Sequence, residues 1–248
     1  MSGHSKWATT KHRKAAVDQA RAKVFAKLIR QLEVAAREGG SDLNSNATLR
    51  TMFEKARSAS VPMDTIERAI KRGTGELDGV RYEPISYEGY APCGVAIIVE
   101  TLSDNRNRTG AEVRNLFVKN GGSMAEPGAV AWQFTRKGQV ELAKTFDEDR
   151  IVEVAVDAGA EDVADEGERW MVTCAPGDLN AVRDALEAAG MTPDSVELAM
   201  VPTQTMPVAE PGDARKVLRL LEVLDDHDDV QNVWSNFDIP DEVLAAVQ

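Results

Sequence analysis

The chain has 248 residues, 43% of them hydrophobic and 28% charged, with 29 Lys and Arg against 41 Asp and Glu and a formal net charge of −12. This composition excludes a disordered polyelectrolyte, and the length allows two or three domains. No stretch approaches the roughly eighteen apolar residues of a membrane span, no apolar secretory core opens the chain, and Cys93 and Cys174 read as free thiols, so a cytoplasmic protein without membrane contact is expected.

Charge is unevenly spread. Residues 1–30 hold eight Lys or Arg and one acid, residues 31–81 hold eight of each, and the remainder carries 13 basic and 32 acidic residues. Residues 3–14 lack apolar periodicity and contain His4, Lys6, Trp7, Lys11, His12, Arg13 and Lys14. Cations that release counterions on meeting phosphates, with an aromatic among them, read as an arm that orders on a polyanion. The Trp7 indole has two readings, a ring stacked on a base or a lid on the helices that follow.

From Val17 to Arg37 apolar residues recur at helical spacing, with Val17, Val24, Leu28, Leu32 and Ala35 on one side and Lys23, Lys27, Arg30 and Arg37 opposite. Gly39 and Gly40 end this helix. A second amphipathic helix follows Asn46, bearing Leu49, Met52, Phe53 and Ala56, and Ser60-Val61-Pro62 stops it. Asp64 with Glu67 spells a capping box for a third, which Gly73 would end. A basic helical domain over residues 1–80 is the expectation, its arm and stripe directed at nucleic acid.

Beyond residue 80 strand and helix patterns alternate. Strands are predicted at 94–102 and 129–134, with a helix between them opened by a Thr109–Glu112 capping box. Residues 137–202 then read β-α-β-β-α-β, a complete ferredoxin-like unit. The tail adds a strand at "QTMPV", a helix over 212–225 and a strand at "VQNVWSNF". The expected fold is α+β with three domains: a helical one over 1–80, a split α/β domain made of 81–136 and 203–248, and an α/β sandwich over 137–202 inserted in it.

Catalytic and metal motifs do not emerge. His4, His12 and His227 lack ligand spacing with one another or with either cysteine, and neither a Walker loop, a nucleophile elbow nor a dinucleotide fingerprint is present. "KRGTGELDG" reads as a helix stop and linker, and "DDHDD" (225–229) as a helix end and turn. No enzyme, cofactor, metal or small-molecule substrate is therefore expected. Arg106 and Arg108, in "SDNRNRTG" at a helix N-terminus, oppose the macrodipole and read either as an anion contact or as an interdomain ion pair.

"GHSKWATTKHRKAAVD", "VPMDTIERAIKRG", "YEGYAP", "DNRNRT" and "NGGSMAEPGAVAWQFTRKG" together resemble the YebC/PmpR family, in order and over nearly the whole chain. The resemblance implies three domains, a helical one followed by two α/β ones. It also implies a regulator of gene expression, usually assigned to DNA and transcription and in some members linked to translation on the ribosome. Lys6, Trp7, Lys11, His12, Arg13 and Lys14 match the family motif position by position, whereas Ala20-Arg21-Ala22-Lys23 stands where a Lys-Arg-Gly-Lys-like stretch is typical. DNA or ribosomal RNA, and through the latter the ribosome, are the expected partners. A protein-interaction scaffold is the distant alternative.

Overall fold

The computed structural model describes residues 17–247. Three helices come first: α1 (Val17–Gly39), α2 (Ala47–Ser58) and α3 (Met63–Thr74). Leu28, Leu32, Ala35 and Ala36 of α1 face Leu49, Ala56, Ile66 and Ala69, giving this unit its own small core. Asn46 organises the first turn-back, since its side chain accepts from the Leu49 amide and donates to the Ala35 and Gly40 carbonyls. The expected Asp64–Glu67 capping box does not form. Pro62 occupies the N-cap, and Asp64 instead pairs with Arg68 one turn on. The glycines also exchange roles: Gly75 supplies the left-handed residue after α3, at φ +82°, whereas Gly73 lies against the Glu33 carbonyl, where a side chain would collide. Val24, which its periodicity places on the apolar face, is 45% exposed, while Phe25 and Leu28 pack in the helical core.

Two four-stranded antiparallel sheets follow. The first takes β1 (Glu83–Tyr90), β2 (Ala96–Ser103), β3 (Ser123–Ala125) and β9 (Val230–Ser235), in the order β3-β1-β2-β9. Helices α4 (Arg106–Lys119) and α7 (Pro211–Asp225) cover it through Val113, Phe117, Val217, Leu220, Leu221 and Leu224. The second takes β4 (Phe134–Ala143), β5 (Ala160–Asp165), β6 (Arg169–Cys174) and β7 (Ser195–Pro202), in the order β5-β6-β4-β7, with α5 (Glu148–Asp157) and α6 (Leu179–Ala188) on one face. The short strands β8 (Met206–Pro207) and β10 (Phe237–Asp238) pair in parallel, and α8 (Asp241–Val247) ends the described chain. The second sheet has the strand order of a ferredoxin-like β-α-β-β-α-β unit. The first has the same spatial arrangement in permuted form, with its first strand, β1, between β2 and β3.

In the first sheet that order arises from a different chain path than expected. The segment 129–134 is not a strand: Ala131–Gln133 forms a 3-10 turn, and β4 of the second sheet begins at Phe134. β3 takes the place expected of 129–134, and β1 takes the place expected of the "QTMPV" strand, whose Met206–Pro207 pairs with β10 instead. β1 is unread in the sequence because Pro84, Ser86 and Gly89 dilute its alternation. β1 pairs with β2 over its whole length, and its Glu88 carboxylate, 8% exposed, accepts three amides of the 126–133 loop, from Gly128, Val130 and Ala131. Burial raises the Glu88 pKa, but the three N–H donors outweigh it and hold the group below its ordinary value.

A fourth apolar cluster joins the sheets. Ala96, Ile98 and Trp234 of the first pack with Phe134 and Ala199 of the second, and Val130 lies between them. The Trp234 indole N–H is satisfied by Glu100, and Asn236 donates to the Gln133 side chain.

Candidate nucleic-acid interface

Lys6, Trp7, Lys11, His12, Arg13 and Lys14 lie outside the described residues. The rest of the expected surface, Lys23, Lys27 and Arg30, falls on one face of α1, at positions i, i+4 and i+7. In the structure this face is directed onto the segment read as "DDHDD". Lys23 pairs with Asp226 at 3.1 Å, Lys27 with Asp225 at 3.2 Å and Arg30 with Asp229 at 2.9 Å. All three also donate to main-chain carbonyls, of Asp226, Asp225 and Asp228 respectively. The stripe therefore meets carboxylates of the chain itself, about two hundred residues away in sequence, where phosphates had been expected.

Burial grades along this contact. The Lys23 and Asp226 side chains are 40% and 64% exposed, those of Lys27 and Asp225 are 19% and 14%, and those of Arg30 and Asp229 are 18% and 4%. Asp229 is the anchor. One of its oxygens takes Arg30; the other takes both Arg108 and the Thr109 hydroxyl, each at 2.6 Å. Ser103 donates to Thr109 in turn, because the Thr109 proton is committed to Asp229. Burial pushes the Asp229 carboxyl up, but Thr109, Arg108 and Arg30 together bring it below its ordinary value.

Arg108 thus makes an ion pair within the first sheet's own unit, reaching Asp104 as well as Asp229, and its guanidinium is held more firmly protonated by Asp229. Arg106 is exposed, and its main-chain carbonyl accepts from the Tyr87 hydroxyl. The expected Thr109–Glu112 cap is replaced by Asn105, whose side chain accepts from the Arg108 amide and starts α4 earlier. That shift places Thr109 inside the helix, where its hydroxyl reaches Asp229.

A cleft of about 560 Å³ opens beside these groups, lined by Arg30, Tyr82, Arg108, Glu112, His227 and Asp229 among others. The Arg30 guanidinium lies over the Tyr82 ring, 5.1 Å from its centroid. Glu112, His227 and Asp229 bring potential ligand atoms within 4.8 Å of one another. His227 and Asp229 are already engaged: His227 Nδ1 accepts the Asp229 amide, which leaves the Nε2 proton of a neutral ring for Glu112, and Asp229 serves Arg30, Arg108 and Thr109. With two guanidiniums alongside, this donor set suits a structural network better than a cation.

Helix α2 of the helical unit meets the second sheet's unit, again through charge. Glu54 accepts from Arg183 at 3.2 Å, and Lys55 approaches Glu197 at 3.9 Å. Burial lowers the Lys55 pKa against the raising effect of Glu197. Among the described residues, no helix is long and apolar enough to cross a membrane.

The chain is similar to known proteins over its full length. Residues 5–76 match the family model described as "TACO1/YebC protein N-terminal domain", and residues 82–237 match "TACO1/YebC second and third domain". A relative from Acidothermus cellulolyticus, named "Probable transcriptional regulatory protein", is 57% identical, with 100% of both chains covered. One from Thermobifida fusca bears the same name, at 55% identity and 100% coverage of both. The crystal structure of a conserved hypothetical protein, Aq1575, from Aquifex aeolicus superposes with a TM-score of 0.86 at 44% identity, covering 93% of this chain and 96% of that one.

Proposed function

The chain belongs to the TACO1/YebC family, and on that premise we propose that it is a non-enzymatic regulator of gene expression that binds nucleic acid through its N-terminal end. The observation that carries the reading is the charge distribution: residues 1–30 hold eight Lys or Arg and one acid, in a chain of net charge −12. A polyanion meets attraction at one end and repulsion over the rest, which orients it on approach. The names of the bacterial relatives support a regulatory role and favour DNA as the target.

The described helices favour RNA. Reading duplex DNA needs a helix that presents base-contacting Asn, Gln or Arg side chains to the major groove. The exposed positions of α3 instead mix Asp64, Glu67, Arg68 and Lys71, and the basic face of α1 is turned onto carboxylates. A positively charged arm with one aromatic suits unpaired or structured RNA, including that of the ribosome.

Crosslinking in cells, followed by sequencing of both RNA and DNA, tests the target: ribosomal RNA enriched over promoter DNA supports the RNA reading, and the converse supports transcription. In vitro, deletion of residues 1–15 is expected to abolish binding while residues 17–247 keep their circular dichroism. The four Lys and Arg of the arm give log K against log[salt] a slope of about −3 on single strands and about −4 on duplex DNA. A flat salt dependence would overturn the reading.

A further inference from the structure

Helix α7 ends in Asp225, is followed by Asp226, His227, Asp228 and Asp229, and has no basic residue in its last turn. Acidic side chains at a helix C-terminus oppose the macrodipole, and the final carbonyls need donors. Both needs are met from another unit. Lys23, Lys27 and Arg30 each bind one main-chain carbonyl oxygen and one carboxylate oxygen of this segment. Closely spaced anionic and carbonyl oxygens offer a row of cations much the same partners as a phosphate backbone does.

We propose that the segment Asp225–Asp229 is a built-in competitor for nucleic acid, covering the Lys23–Lys27–Arg30 stripe until a polyanion bound to the adjoining N-terminal arm displaces it and frees the helical unit from the sheets. The inference rests on the nucleic-acid reading above. Three features make the contact displaceable. No buried apolar cluster among the described residues joins the helical unit to either sheet. Lys55–Glu197 and Arg183–Glu54, which join the helical unit to the second sheet's unit, are ionic as well. The linker from Gly75 to Arg81 is exposed throughout. The contact is also graded for stepwise release: the outermost pair, Lys23–Asp226, is the most exposed and the nearest in sequence to the arm.

The test uses the full chain and fluorescently labelled mixed-sequence single-stranded RNA and duplex DNA. Asp225→Asn with Asp226→Asn removes the carboxylate partners of Lys27 and Lys23 but leaves the Asp229 anchor. Glu153→Gln with Asp157→Asn, at exposed positions of α5, makes the same change in net charge elsewhere. Loss of two partly exposed pairs should tighten binding roughly three- to tenfold in the first variant, and less than twofold in the second. Adding Lys23→Gln and Lys27→Gln should weaken binding several-fold more in the D225N/D226N chain than in the wild type, because only there is the stripe already uncovered. Equal affinities for the two acidic variants would overturn the competitor and leave nucleic-acid binding standing. Failure of every chain, wild type included, to bind either probe would remove the function reading and the competitor together.

Discussion

The two α/β units meet through hydrocarbon, with Phe134, Val130, Ala199, Ile98 and Trp234 buried between their sheets, whereas the helical unit meets both of them through ions. These joints respond to different variables. Apolar contact is little affected by salt and is lost only when the surfaces separate completely. The more exposed ion pairs, Lys23–Asp226 and Lys55–Glu197, contribute about 0.2–1 kcal/mol each and are screened, whereas Lys27–Asp225 and Arg30–Asp229 are screened less. One chain thus holds a firm two-sheet body and a helical unit whose attachment depends on the ionic environment.

The largest expected effect comes from breaking the apolar joint. Phe134→Ala empties a buried site shared by both sheets and should destabilise the body by about 3–5 kcal/mol in urea denaturation. A loss below about 1 kcal/mol would mean that the sheets do not depend on each other. Next comes the anchor of the ionic joint. Asp229→Ala leaves Thr109, Arg108 and Arg30 without their shared acceptor and should cost about 3 kcal/mol, reported by the melting of the first sheet. Asp229→Asn, which keeps an acceptor for Thr109, should cost less.

Acid should act on both sides of the comparison. Asp229 and Glu88 have folded-state pKa values below their unfolded ones, so each contributes stability above its unfolded pKa and loses it as the pH falls through the folded value. Stability is expected to be level near neutrality and to fall below about pH 4. Glu88→Gln should flatten part of that fall by removing one titrating group. The smallest effect belongs to salt. Raising ionic strength should speed tryptic cleavage after Arg81 in the linker by weakening the helical unit's attachment, while the body's denaturation midpoint stays level. A midpoint that falls in step with cleavage would mean that the joints are not separable.

Much of this architecture is legible along the chain. The β-α-β-β-α-β order of the second sheet, the three N-terminal helices and the helix that ends at Asp225 follow from periodicity of 2 or 3.6 residues, a local property. Caps were less legible. Asp64 and Thr109 each stand three residues before a Glu, but Pro62 and Asn105 start the helices, because a capping side chain competes with its neighbours' other bonds. Thr109 is needed by Asp229, a contact spanning 120 residues.

The sequence by itself determined the basic N-terminal end, the acidic body, the family and the succession of helices and strands, because charge counts, motifs and hydrophobic period need no knowledge of distant neighbours. Tertiary structure alone decided that β1 fills the sheet position expected of a later segment, since strand pairing is chosen among all available edges. It also decided that Lys23, Lys27 and Arg30 face Asp225–Asp229. Nothing local marks a cation for a carboxylate rather than a phosphate; the choice follows from which oxygens the folded chain brings to about 3 Å, here across roughly two hundred residues.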